Sequence, residues 1–275
     1  MTTYELGASL RLHHIVDPGF ELVVPVDAAA ATTISNNADV LVPWAATDEN
    51  EARLTTAAIC VETKNARIVI DPFSAFANGD RSSQAATDEA SARVQVLTEA
   101  GFGPGEVDAV LLTHFDGSGA LTVPDGEVEH PVYDVKHLMT AGALHEARTS
   151  EPAGAEAVRA LDAADLFEVV EPGPVLDGAM TLVSLEAHGT GHVGVHIEGD
   201  TDSALVTGHL FLHPATIYDL TSSIGDQFPD RLEDDRTAAL ELTGRGLLVG
   251  DLFCAPGAVR VRRSGDGWSL TPAVV

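Results

Sequence analysis

The segment Val107–Gly119 constrains this chain more than any other. An apolar run, Val110-Leu111-Leu112, opens directly into Thr113-His114-Phe115-Asp116 and then into Gly117-Ser118-Gly119. A short continuous apolar run bounded by small residues reads as a strand buried on both faces. Such a strand delivers the residues that follow it to the edge of a sheet, where α/β folds place their ligands. A second segment, Leu185-Glu186-Ala187-His188-Gly189-Thr190-Gly191-His192, again sets histidines among small residues.

The surrounding pattern interleaves strands with helices. Residues 54–62 and 66–71 are strand-like, and the second ends in Asp71-Pro72. Residues 84–101 predict a helix stopped at Gly101, the usual place of a left-handed cap. Helices are also predicted at 134–147, 151–163 and 230–243, the last stopped at Gly244. Strands are expected at 107–112, near 167–171, 180–186, 192–198 and 203–207, and at 246–250 and 258–263. Residues 9–26, containing Pro18-Gly19, predict a hairpin. Residues 27–50 read as a polar loop with Pro43-Trp44 as a packing anchor, and 214–229 as a mobile substrate loop. This alternation favours a layered α/β fold.

At 275 residues the chain is long enough to bury a full core as one domain. Its net charge of −27, with Lys64 and Lys136 the only lysines, excludes a clustered basic surface for nucleic acid. The acidic residues are spread along the chain, as on a strongly solvated surface. No apolar run is long enough to cross a bilayer, and MTTYELGASLRLHH lacks the order of a secretory leader. The expectation is a cytoplasmic protein without membrane contact. Cys60 and Cys254 form no C-x-x-C pair and no disulfide framework.

The two histidine segments resemble the motifs of the metallo-β-lactamase superfamily over roughly residues 20–270. The T-H-x-H-x-D-H motif of that family is matched by Thr113–Gly119, with His114 kept, Asp116 in place of the second His, and Ser118 and Gly119 in place of Asp and His. The P-G-H-T-P-G-H motif is matched by Glu186–His192, with His188 at the ligand position. Thr207-Gly208-His209 through His213-Pro214 matches T-G-D and the following H-P, with His209 replacing the metal-bridging Asp. Gly250-Asp251-Leu252-Phe253 matches the last motif, with Leu252 where the final ligand His stands.

The resemblance implies an αββα sandwich, read as one domain of residues 1–275: N-terminal strands and loop at 1–53, the sandwich at 54–275. It also implies that the private ligands of a second metal are gone, while one set remains: His114, Asp116, His188 and His209. A neutral imidazole gives one nitrogen to one metal and does not bridge as a carboxylate does. The expected centre is therefore mononuclear, with Zn²⁺ favoured and Fe²⁺ or Mn²⁺ compatible. Asp116, His209 and Asp251 are the candidate catalytic residues, with Asp71 and Asp251 as supporting acids or a general base. The expected activity is hydrolysis of a small ester, lactone or other acyl compound. Three alternatives stay open: a metal-free lyase, cyclase or isomerase using the same histidines, an iron-dependent oxygenase, and a non-catalytic small-molecule binder with a dead metal site. His192 is expected to hydrogen-bond its own loop, and His213 either to line the pocket or to shape its turn. His130, His137 and His145 lie outside the motifs and are expected at the surface or on helices, and His13 and His14, on an N-terminal strand, have no assigned role. Oligomeric state and substrate identity are unreadable.

Overall fold

The computed structural model describes residues 1–73, 83–115, 119–126, 128–149, 155–176, 180–223 and 226–273. The chain folds as an αββα sandwich, each half of the sequence supplying one sheet. The first half runs β1 (Thr2–Gly7), β2 (Leu10–Val24), α1 (Ala28–Asn36), α2 (Ala38–Leu41), β3 (Ala52–Glu62), β4 (Arg67–Ile70), α3 (Gln84–Glu99), β5 (Ala109–Leu111), β6 (Thr122–Asp125), β7 (Val128–Pro131), β8 (His137–Thr140), α4 (Ala141–Thr149), α5 (Ala155–Ala163) and β9 (Phe167–Val170). Its sheet has the order β1-β2-β3-β4-β5-β8-β9, with β6 and β7 paired separately. The second half runs β10 (Gly173–Val175), β11 (Met180–Ser184), β12 (Val193–Glu198), β13 (Ser203–Val206), α6 (Leu232–Thr243), β14 (Leu247–Val249), β15 (Ala258–Ser264) and β16 (Gly267–Pro272), in one sheet in that strand order.

Alternation along the strands explains the layering. In β3, Ala57, Ile59 and Val61 face the opposite sheet with Leu182, Val195 and Val206, while Ala58 and Cys60 face the helices with Leu97 and Leu144. In β14, Leu247 and Val249 face the inter-sheet core and Leu248 faces α6 with Leu240. Strands covered on both faces need apolar residues at every position, which is why these segments read as continuous runs. Ser83 caps α3 by accepting from the Ala86 N–H, and Gly101 (φ 84°) follows its end as expected.

Several local expectations are corrected. Pro18-Gly19 makes no hairpin turn: β2 runs through it, and the β2–β3 register shifts between Val16 and Glu21 to absorb the extra residues. The hairpin is β1–β2, closing at Gly7↔Leu10. The predicted loop at 27–50 contains α1, capped by the Asp27 carboxylate on the Ala30 N–H (2.8 Å), and α2. The predicted helix at 134–147 is a strand followed by a helix, β8 then α4, because 137–140 pairs in parallel with β9 and its first two residues also pair with β5. β16 went unpredicted. The 214–229 segment, read as mobile, buries Ala215, Thr216 and Ile217 in a 3₁₀ turn. No helix among the described residues is long and apolar enough to cross a membrane.

Two histidines are built into the core as neutral rings, and one of them, His137, expected at the surface or on a helix, instead opens β8 because that strand is buried between β5 and β9. His137 is fully buried with Nδ1 2.9 Å from the Val135 carbonyl, and burial pushes its pKa down to about 4. His213 donates from Nε2 to the Ala45 carbonyl (2.6 Å) and accepts the Ala215 N–H at Nδ1 (3.1 Å), and burial likewise takes it to about 4. His213 thus shapes its turn, and it also borders the cavity beside α1. An unfolded histidine titrates near 6.5, so between about pH 6.5 and 4 the unfolded chain binds more protons. Stability from each ring is complete above that window and is lost as pH falls through it. Comparing urea unfolding of the wild type with His137→Asn should show the wild-type advantage shrinking by roughly 2 kcal/mol between pH 7 and pH 5. An advantage unchanged over that range would contradict the neutral buried ring.

Candidate metal centre

Two parallel strand pairs build the site in the same way. β4 and β5 pair in parallel with Ile70 opposite Leu111, so the residues just beyond them, Asp71 and Thr113-His114, emerge at one edge. β13 and β14 pair in parallel with Val206 opposite Val249, so His209 and Asp251 emerge together from the second sheet. The β11–β12 connection, closing at Ser184↔Val193, carries His188 and His192.

At this edge one ring nitrogen from each of His114, His188 and His209 lies within 4.8 Å of the others. The ring centroids of His114 and His209 are 4.3 Å apart, and each lies 5.3 Å from that of His188. His114 and His209 are buried, while His188 faces a small opening of about 140 Å³ lined also by Phe115, Glu146, Thr190 and Gln227. His192 packs on the cluster, its centroid 5.1 Å from that of His114, and donates from Nδ1 to the Leu185 carbonyl at 2.8 Å. Burial, reinforced by the neighbouring imidazoles, holds its pKa well below the usual histidine value. Asp116 lies outside the described residues, as do Gly117 and Ser118.

Hydrogen bonds to fixed acids decide which nitrogens face inward. The Thr113 N–H and hydroxyl both donate to Asp71, at 2.8 and 2.5 Å. With its only proton committed, the Thr113 hydroxyl must accept from His114 Nδ1 at 2.8 Å, which leaves Nε2 as the lone-pair nitrogen. His188 Nδ1 donates to Asp226 Oδ1 at 3.0 Å, and the other oxygen of Asp226 accepts from the Ser223 hydroxyl at 3.0 Å. Asp251, fully buried, places Oδ2 3.1 Å from His209 Nε2. Burial and the charge of Asp251 raise Asp71 to about 7 against the two Thr113 hydrogen bonds. Burial also works to raise Asp251, but the imidazoles of His209 and His114 outweigh it and hold this carboxyl below the ordinary range. Carboxylates behind ligating histidines are the usual way to fix tautomer and ring orientation.

Of the residues singled out from sequence, His114, His188 and His209 converge, with Asp251 beside His209. Leu252 turns away and packs with Leu54 and Leu212. Asp226 was missed, since it lies 38 residues from the histidine it holds. Arg236 was missed too: it is buried in α6 and donates to the carbonyls of Leu210 (2.9 Å), Leu220 (3.0 Å) and Ser222 (2.6 Å), with Nη2 4.0 Å from Asp226. His14, given no role, is a fully buried ring behind Asp251, and burial brings its pKa down to about 4.

The sequence model of the metallo-beta-lactamase superfamily matches residues 53–243. The chain belongs to the metallo-β-lactamase superfamily. No curated protein matches it. Among solved structures of this fold it is similar to the hydrolase AbOPH of the beta lactamase superfamily, at 13% identity over 100% of this chain and 97% of that one, with a TM-score of 0.74. The same identity, coverage and TM-score hold for AidC, a dizinc quorum-quenching lactonase solved with a product. A probable metal-dependent hydrolase from Staphylococcus aureus is 17% identical over 99% of both chains, with a TM-score of 0.68. At these identities the superfamily scaffold is shared, and activity has to be argued from the side chains.

Proposed function

We propose that this protein hydrolyses a small ester, lactone or related acyl compound with one divalent cation, zinc by preference, with iron or manganese also compatible. The observation that carries the proposal is the convergence of His114, His188 and His209 with two rings locked through Nδ1. Three inward nitrogens suit Zn²⁺, and Asp116, two residues beyond His114 in the sequence, is the proposed acidic fourth donor. A cation held there would polarise the acyl carbonyl and bring the pKa of a bound water to about 7. The chain does the rest. Asp71 and Thr113 keep His114 in one tautomer, Asp226 does the same for His188, and Asp251 beside His209 is the proposed general base.

The same geometry supports one cation over two. Gly119 occupies the position of the last histidine of the first motif with φ 46°, and a Cβ there would lie 2.2 Å from the Pro72 carbonyl oxygen. No side chain fits without displacing the Asp71–Phe73 turn. Leu252, at the final ligand position, belongs to an apolar cluster. The test is hydrolysis of p-nitrophenyl acetate and of a γ-lactone before and after removal of metal. Stripping should lower kcat/KM about 100-fold or more, with recovery on adding one equivalent of zinc. Activity indifferent to chelation would move the reaction to the imidazoles alone.

A further inference from the structure

We infer that the opening over His188 selects a substrate carrying a cationic group close to its reacting acyl carbon, and that Glu146 makes the selection. The inference rests on the acyl-hydrolase reading and extends it to the charge of the substrate. His114 and His188 themselves line this opening, so its other walls are within reach of a substrate bound at them.

One wall is a face of α4. Ala143, Glu146 and Ala147 are spaced i, i+3 and i+4, so they share one side of the helix. The two alanines are short, which leaves Glu146 as the long side chain there. The helix is held tightly against the loop that carries His188. The Thr140 hydroxyl donates to the Gly191 carbonyl at 2.6 Å. Gly191 takes φ 71°, and a Cβ there would lie 2.5 Å from the Ala143 nitrogen, so helix and loop meet backbone to backbone. Gln227 ties the same parts together from another side. Its Oε1 accepts from the Thr190 N–H (3.1 Å) and hydroxyl (3.2 Å), and its Nε2 donates to the Glu146 carboxylate. An amide donor orients a carboxylate without cancelling its charge.

The chemistry of the lining favours a cation. Glu146 is the one carboxylate among the described lining residues, and no lysine or arginine is among them. Arg148, two residues on, is committed to Asp162 (3.0 Å). Phe115 adds an aromatic ring to the wall. A carboxylate and a ring around one opening attract an ammonium group through its charge and through the negative face of the ring. The same carboxylate repels a substrate bearing a carboxylate or phosphate. At about 140 Å³ the opening lies below the roughly 300 Å³ at which ordinary small-molecule sites begin, so it takes a head group and not a whole molecule. The net charge of −27 draws cations to the molecule as a whole, and Glu146 brings that preference to the histidines.

The experiment compares three thioesters on the zinc-loaded protein. They are acetylthiocholine, its uncharged isostere S-(3,3-dimethylbutyl) thioacetate, and the anion S-acetyl-3-mercaptopropanesulfonate. The cationic-to-neutral ratio of kcat/KM should exceed about 10 at low salt and fall as salt is raised, with the anion slowest. Glu146→Gln keeps an acceptor for the Gln227 amide and removes only the charge, and it should lower that ratio at least about fivefold. Glu168→Gln removes the same charge from the exposed side of β9 and should leave the ratio unchanged. Comparing ratios between proteins cancels both the intrinsic reactivity of the thioesters and the fraction of active protein. A wild-type ratio of one or less, no fall in Glu146→Gln, or an equal fall in both variants overturns the selection while leaving the hydrolase reading intact. If neither p-nitrophenyl acetate nor any thioester is cleaved, the hydrolase reading fails and the opening is judged by calorimetric titration with choline and with 3,3-dimethylbutan-1-ol. Saturable binding of choline alone, weakened in Glu146→Gln, supports the selection, and equal or absent binding of the two overturns it.

Discussion

Alanine at His188 should empty the proposed centre and abolish hydrolysis. His188 is the most exposed of the three clustered histidines, so in the proposed site it would be the ligand nearest the opening. Its removal takes away one nitrogen donor and the hydrogen bond to Asp226. It does not take away the packing of the loop, because the Gln227 N–H still reaches the residue-188 carbonyl (3.1 Å) and the Phe228 N–H still reaches the Ala187 carbonyl (3.0 Å). The variant should therefore fold. Metal content should fall from about one per chain to near zero, and kcat/KM by about 10³-fold or more, the scale of several kcal/mol of lost charge stabilisation. His145→Ala, on the exposed face of α4, is the matched control and should keep both. Elemental analysis and ester hydrolysis read the two effects, and full metal content in His188→Ala would remove His188 from the ligand set.

The second large effect is predicted at Arg236, which has no place in any motif. Its guanidinium is buried above the Phe211 ring (5.7 Å) and ties three backbone carbonyls of the 210–222 segment to α6. Burial lowers the pKa of this group, and the nearby charges of Asp226 and Asp219 work against that. Arg236→Met keeps much of the volume but leaves the Leu210, Leu220 and Ser222 carbonyls without their donor and removes the cation facing Asp226. Such a change costs about 3–5 kcal/mol. Because Asp226 orients His188 and Leu210 adjoins His209, zinc affinity should also fall about 10- to 100-fold. Arg236→Lys should recover part of the stability but less of the affinity, since one ammonium cannot reach three carbonyls in a fixed fork. Urea unfolding and competition with a chromogenic chelator measure the two quantities, and a wild-type midpoint in Arg236→Met would refute the tether.

The parts of the site legible in the sequence are those at the ends of buried strands. Val110-Leu111-Leu112 before His114, and the apolar β13 and β14 before His209 and Asp251, are continuous runs because both sheet faces are covered. Parallel pairing then makes residues with no sequence proximity into neighbours, which is why Asp71 reaches Thr113 and Asp251 reaches His209. The register within the last motif was not legible: one residue decides whether position 251 or 252 faces the histidines, and alternation gives the site to Asp251. The supporting acid Asp226 and the tether Arg236 left no local trace, since their roles arise from the path of a turn. The α1 helix was hidden in Ala28–Asn36, where an alanine and threonine run shows little amphipathic contrast, and only the Asp27 cap marked its start. Pro18-Gly19 misled because a strand can absorb turn residues in a bulge when one neighbour, here β3, pairs with it before and after the interruption.

One measurement bears most directly on the whole account: the number of divalent cations bound per chain in tag-free protein, counted by elemental analysis after saturation with zinc and removal of excess. One equivalent, lost in His188→Ala, is the predicted result. Two equivalents would mean that the room denied at Gly119 and Leu252 is available after all, and none with zinc, iron or manganese would mean that the three imidazoles do not form a metal site.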